Sequence, residues 1–179
     1  MTISAPRLDL VPMSAAFIDA LLEDRRDEAA ELLGAAMPDG WPDEHDEHFL
    51  RYRREQMRRD PETARWLVRA LVLPEPGRAM IGHAGFHGAP GANGPRKPGA
   101  LELGYTVFPP YRGRGFATEA AVALMDWART DRGIQHFIAS VSPTNEPSLA
   151  IVRKLGFVQT GDQWDDDDGL ELVFELEVD

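Results

Sequence analysis

The sequence contains no cysteine. That absence excludes disulfide stapling, thiolate-bound zinc, cysteine-held iron–sulfur clusters and any cysteinyl acyl-enzyme. A side-chain nucleophile would have to be oxygen or nitrogen. Basic residues are scarce too: 19 Lys and Arg stand against 30 Asp and Glu, for a net charge of −11. Duplex nucleic acid is a poor partner for such a chain, because its binding depends on neutralising phosphates; a cationic partner suits it better. No apolar run approaches the roughly 20 residues of a membrane span. Residues Met1 to Pro12 lack the apolar core of a signal peptide, so the expectation is a cytoplasmic protein with no membrane partner. What remains is ordinary: 179 residues, 43% apolar and 27% charged. That is enough for one domain spanning 1–179, since single cores stop growing near roughly 250–300 residues.

Along the chain, Arg7 to Val11 reads as a short strand, and Ser14 offers a cap to an amphipathic helix carrying Phe17, Ile18, Leu21 and Leu22. A second helical piece, Glu28 to Leu33, ends at Gly34. A third runs from about Asp43 to Arg59 after a turn over Pro38 to Pro42. Its Arg51, Arg53, Arg54, Arg58 and Arg59 are expected to form a solvated charged face with intrahelical acidic partners rather than a basic docking surface. Residues 14–60 therefore look like helices that cover something.

The pattern changes after that. Trp66 to Leu73 and Arg78 to His87 are strand-like and joined by a Pro/Gly hairpin signal. Four glycines and three prolines between Gly88 and Ala100 predict a mobile loop. Leu101 to Phe108 is the next strand, its alternation placing Glu102, Gly104 and Thr106 on one face and Leu101, Leu103, Tyr105 and Val107 on the other. A helix to about Thr130, a strand at Phe137 to Val141, a short helix capped by Asn145, a strand starting at Phe157 and a last strand from Leu170 to Val178 complete an α/β pattern with a mixed sheet.

The connection Tyr111-Arg112-Gly113-Arg114-Gly115-Phe116-Ala117 joins a strand end to a helix start. Free N–H groups and the positive end of the helix dipole favour an anion there, and glycine lets a ligand approach the backbone. A nucleotide P-loop is ruled out because Phe116 and Ala117 follow Gly115 where Lys and Ser or Thr are needed. The dinucleotide fingerprint fails at Thr118 and at Gln135, where small and acidic residues should stand.

Arg112-x-x-Gly115-x-Ala117 resembles the Arg/Gln-x-x-Gly-x-Gly/Ala signature of the GNAT superfamily of acyl-CoA-dependent N-acyltransferases. Glu102-Leu103-Gly104-Tyr105, Ala117-Thr118-Glu119-Ala120, Asn145-x-x-Ser148 and Lys154-Leu155-Gly156-Phe157 resemble the branch of ribosomal-protein N-terminal acetyltransferases. The resemblance implies a mostly antiparallel sheet of about six or seven strands with flanking helices. It implies a cofactor-binding core over about 66–176 and an acceptor side shaped by 14–60, with acetyl-CoA as cosubstrate and no metal. It puts the pyrophosphate on the backbone of Arg112, Gly113, Arg114, Gly115, Phe116, Ala117 and Thr118. The thioester and pantetheine would lie along Tyr105, Thr106 and Val107, with Asn145 against pantetheine.

Acyl transfer to an amine needs a base, because the acceptor is mostly protonated at neutral pH. The resemblance implies Glu102, directly or through water, although such a residue also reads as a cross-strand or rim carboxylate pointing to solvent; His83 and His87, four apart on one strand face, are alternatives. The departing thiolate needs a donor. Many superfamily members use a tyrosine late in the chain, but none follows Leu155, which leaves Ser148 or water. Ser148 also reads as a first-turn residue serving its own helix, and Asn145 as its cap. The acceptor could be the α-amine of a peptide or protein, a polyamine, an amino acid, an antibiotic amine or an aminoacyl-tRNA, the acidic balance suiting the tRNA least, and homodimers are common in the family. A non-catalytic acyl-CoA sensor is the alternative outside the enzymes. Asp165 to Asp168 lacks EF-hand spacing and reads as an exposed turn.

Overall fold

The computed structural model describes residues 1–92, 97–166 and 169–178. One eight-stranded sheet organises the chain, in the order β1-β2-β3-β4-β5-β6-β8-β7. The first five strands are β1 (Ile3–Ser4), β2 (Asp9–Pro12), β3 (Arg69–Val72), β4 (Met80–Phe86) and β5 (Leu101–Val107). The rest are β6 (His136–Val141), β7 (Val158–Asp165) and β8 (Gly169–Glu177). All neighbours are antiparallel except β5 and β6.

The expected six or seven strands become eight. The added strand is β1, a two-residue piece that folds back on β2, so that Arg7 lies in the link between them rather than in a strand. The strand expected to start at Phe157 runs on to Asp165, because it pairs with β8 almost throughout. Asp166 is in the turn that follows; Asp167 and Asp168 lie outside the described residues, as do Asn93 to Arg96 of the expected mobile loop.

Helices cover both faces. On one side lie α1 (Ala15–Leu22), α2 (Arg26–Leu33) and α3 (Glu44–Arg59). The Ser14 hydroxyl accepts from the Phe17 amide to start α1, and Asp43 and Asp46 form a reciprocal capping box on α3. Their apolar residues, among them Phe17, Ile18, Leu50 and Met57, bury against Val68, Ala70, Val72 and Met80. On the other side α4 (Phe116–Arg132) and α5 (Glu146–Lys154) contribute Ala120, Ala121, Leu124, Leu149 and Val152 to a core with Leu71, Ile81, Leu101, Leu103 and Phe137. The period-two alternation of β3 feeds both cores, which is why all four of its residues are buried. Among the described residues no helix is long and apolar enough to cross a membrane.

The parallel junction of β5 and β6 is short. The strands pair only through Leu101 with Phe137 and Glu102 with Ile138, although β5 continues to Val107 and β6 to Val141. Meanwhile β6 stays paired with β8 over its whole length. The sheet therefore splits between β5 and β6. The Glu102 carbonyl and the Phe108 amide bond to β4-side partners, so by strand alternation the peptide groups of Leu103, Tyr105 and Val107 face the gap while those of Gly104 and Thr106 face β4.

Candidate active site

A cleft of about 1200 Å³ opens along this split, lined by α3, β4, β5, β6, the start of α5 and the β7–β8 hairpin. Tyr105, Thr106, Asn145 and Ser148 all line it. The Asn145 side chain accepts from the Ser148 amide at 3.2 Å, capping α5 as expected. The Ser148 side chain stands beside the Tyr105 phenol, whose oxygen is enclosed. Burial pushes the Tyr105 hydroxyl up from its ordinary pKa, and neighbouring Ser148 opposes this. Tyr105 was expected to act through its backbone; its side chain brings a second hydroxyl to the place where Ser148 stands.

Glu102 is on the predicted face of β5 but lies beneath the cleft wall, only 3% exposed. A buried carboxylate is costly unless its oxygens accept hydrogen bonds. Ser140 on β6 donates to it at 2.6 Å, and Gln163 on β7 donates in turn to Ser140 and to Glu171, each at 3.0 Å. The His87 Nδ1 stands 3.6 Å from the Glu102 carboxylate, with 43% of its side chain exposed. Its ring lies over Gly104, where an added Cβ would come within 2.7 Å of Nε2. The two histidines part company here. His87 reaches Glu102, while His83 pairs across to Thr106 and stacks on Phe49 with ring centroids 5.1 Å apart. Burial, with help from the Arg53 and His45 charges, pushes His83 down to about 4, so it is neutral at pH 7.

The glycine turn lies beyond the end of β5. Gly113 and Gly115 adopt φ of +73° and +83°, a left-handed backbone that side chains resist, and Gly115 caps α4. The first amide spoken for is that of Glu119, bonded to the Gly115 carbonyl. Among the described residues the amides of Gly113, Arg114, Gly115, Phe116, Ala117 and Thr118 have no partner, a row of donors at the positive end of a 17-residue helix. Arg112 folds back so that its Nε donates to the Val107 carbonyl at 2.8 Å, which fixes the turn to the strand end. Arg114 lies over the Phe116 ring. The sequence reading missed Arg7. Its guanidinium grips Glu119, bonds the Arg114 carbonyl at 3.0 Å and lies 4.8 Å from the Phe116 centroid, bringing a third arginine to the turn. Nothing local to Arg7 signals this contact, which spans 112 residues of chain.

The family model for the acetyltransferase (GNAT) domain matches residues 7–158. The chain belongs to the GNAT acetyltransferase family. Among curated relatives, the uncharacterized N-acetyltransferase YnaD of Bacillus subtilis is 29% identical over 82 residues. That match takes in 46% of this chain and 45% of the relative, so the aligned stretch is about half of each. Solved structures match over nearly the whole chain. A candidate GnaT-family acetyltransferase of Bordetella pertussis is 26% identical with a TM-score of 0.68, covering 98% of this chain and 99% of its own. RimL, a ribosomal-protein alpha-N-acetyltransferase solved with coenzyme A, shares the fold at 17% identity and a TM-score of 0.64 over 100% and 99% of the two chains. The free amides of the GNAT turn fit a polyphosphate, and a ligand that touches both the turn and the cleft must be extended.

Proposed function

We propose that the chain is an acetyl-CoA-dependent N-acetyltransferase that moves the acetyl group to a primary amine by direct attack. The observation that carries this is the row of free amides from Gly113 to Thr118, set beyond a strand whose gap-facing peptide groups are unpaired by β6. The turn, with Arg7 and Arg114 beside it, holds the pyrophosphate by local field despite the net charge of −11. The Tyr105 peptide group and the Val107 N–H hold the pantetheine arm and the thioester in the gap, the Val107 carbonyl being held by Arg112, and Asn145 flanks the arm. A backbone N–H facing the gap also stabilises the oxygen that gains charge as nitrogen adds to the carbonyl carbon.

The acceptor enters from the α3 side, so residues 14–60 shape its pocket. Glu102 is the base, reached from the cleft through the exposed His87 ring or a bridging water. As the C–N bond forms, the amine proton moves toward His87 and Glu102; as the C–S bond breaks, the Ser148 hydroxyl, beside Tyr105, gives a proton or hydrogen bond to the thiolate. No covalent enzyme intermediate is needed, and without cysteine no thiol-borne one could form.

Acetyl-CoA titration with a thiol-release assay over a panel of amines tests the reading. Saturable acetyl-CoA binding, turnover on at least one amine, and a fall on the order of 10²-fold or more in Glu102→Gln are expected. Binding that survives simultaneous Gly113→Val and Gly115→Val substitution would remove the turn from the cofactor site. Tight binding with no turnover on any amine would make the chain a sensor.

A further inference from the structure

Four of the five arginines on α3 hold carboxylates: Arg51 bonds Glu47, Arg54 bonds Asp19, and Arg58 and Arg59 share Glu55. Arg53 does not. It falls on the same helical face as Phe49, Leu50 and Met57, is only 7% exposed, and lines the cleft. Its Nη1 donates to the Gln56 side chain at 2.8 Å and to the His87 carbonyl at 3.0 Å. The Nε is enclosed with no partner, among the described residues Nη2 has no hydrogen bond, and the Glu102 carboxylate acts on the guanidinium through space without a hydrogen bond or ion pair to it. The rings of Phe49 and Tyr52, 4.9 Å and 5.4 Å away, compensate only part of the lost hydration. Burial lowers the guanidinium pKa to about 10, which still leaves it charged at neutral pH. The expected solvated face with intrahelical partners thus holds for Arg51, Arg58 and Arg59; Arg54 reaches across to Asp19 on α1, and Arg53 is a buried cation on the wall of the cleft.

We propose that Arg53 anchors a carboxylate of the acceptor, which makes the acceptor a primary amine bearing a carboxylate a few bonds away. The inference rests on the transferase reading above. Arg53 and Glu102 are connected through a single residue, since Arg53 bonds the His87 carbonyl and the His87 ring reaches Glu102. An amine delivered to the His87 ring therefore brings a nearby carboxylate toward the guanidinium. Asp46, Asp165, Asp166 and Glu171 on the walls repel that carboxylate elsewhere, and among the described residues lining the cleft, which include His45 and His48, Arg53 is the one arginine or lysine, so its guanidinium selects the position as well as the charge. A free amino acid has this chemistry, and so does a polypeptide whose first residue is Asp or Glu.

The test compares matched acceptors: free amino acids against their carboxamides, and tripeptides beginning with Asp or Glu against those beginning with Asn or Gln. A charge-assisted hydrogen-bond pair gives a preference of about 10–100-fold in kcat/KM for the acid in one of the two sets, and that set names the source. Arg53→Gln should bring the acid-to-amide ratio close to one, and Arg53→Lys should keep part of it. Because the ratio is taken within each variant, a folding loss cancels. The same pairs are measured by calorimetry on the coenzyme A complex, which reports selection without turnover. A wild-type ratio near one in both sets, or a ratio unchanged in Arg53→Gln, overturns the proposal. Failure of acetyl-CoA to bind would instead sink the transferase reading, so the two failures are distinct.

Discussion

Gly104→Ala tests whether the His87–Glu102 pair lies on the proton path. An added Cβ would sit 2.7 Å from His87 Nε2 and 3.3 Å from Cδ2, closer than carbon and nitrogen can pack, so the ring must move by several tenths of an ångström or more. It can. The His87 side chain is 43% exposed and rotates into the cleft at little cost, so the fall in stability should stay within about 1 kcal/mol. The catalytic effect should be much larger, because rotation takes Nδ1 away from the Glu102 carboxylate, now 3.6 Å distant. A general base contributes roughly 10²–10⁴ in rate, so kcat/KM should drop on the order of 10²-fold while acetyl-CoA affinity holds. Gly82→Ala on the neighbouring strand is the contrast. There the Cβ would be 2.1 Å from the Thr106 carbonyl oxygen at a φ of +156°, and backbone cannot swing aside. About 3 kcal/mol or more of stability should be lost. Thiol release, acetyl-CoA titration and urea unfolding read the three quantities. Combining Gly104→Ala with His87→Ala separates a ring effect from a filled pocket: if the ring is the route, the double variant is no slower than His87→Ala alone. Wild-type kcat/KM in Gly104→Ala, or fully additive losses in the pair, would refute the reasoning.

Stability should depend on pH through His83. Its folded-state pKa of about 4 lies below the ordinary value of 6.5, so the unfolded chain binds the extra proton first as pH falls. The contribution is fully present above about 6.5 and is lost between there and 4, to a total on the order of 3 kcal/mol; urea unfolding at pH 7 and pH 5 should show the slope, and His83→Gln should flatten it. Arg7→Ala removes the group that ties Glu119 and the Arg114 carbonyl at the start of α4. Acetyl-CoA affinity should weaken about tenfold with a stability loss near 1 kcal/mol, measured by calorimetry and melting; unchanged affinity would show that the turn holds its shape without Arg7. Ser140→Ala strips a 2.6 Å hydrogen bond from a buried carboxylate and should cost roughly 1.5–3 kcal/mol, read by urea unfolding.

Much of the fold was legible because its signals are local. Caps at Ser14 and Asn145, the glycine closing α2, and alternation in β5 all act within a few residues, and each element formed where those signals stand. The glycine turn was legible for the same reason: two glycines, two arginines and a helix start are consecutive in the chain. The placement of Glu102 was legible only as a strand face. Which of the two histidines would reach it, and that Ser140 would hold it, depended on strand pairing. The strand β1 escaped notice because two residues carry no period.

Arg53 shows the limit from the other side. Its spacing from Phe49, Leu50 and Met57 put it on the apolar face, a sign present in the sequence but overridden by the neighbouring Arg51, Arg58 and Arg59, which do face solvent. By itself the sequence determined the chemistry available: no thiol, a net acidic surface, a run of backbone donors for an anion, and a carboxylate one strand away. Only the tertiary structure decided which groups meet. The contacts of Arg7 with Glu119, Arg53 with His87, and Glu102 with Ser140 join residues 112, 34 and 38 apart. No local preference encodes such distances. They are set by where the sheet splits between β5 and β6 and by which helices bury their apolar faces against its two halves.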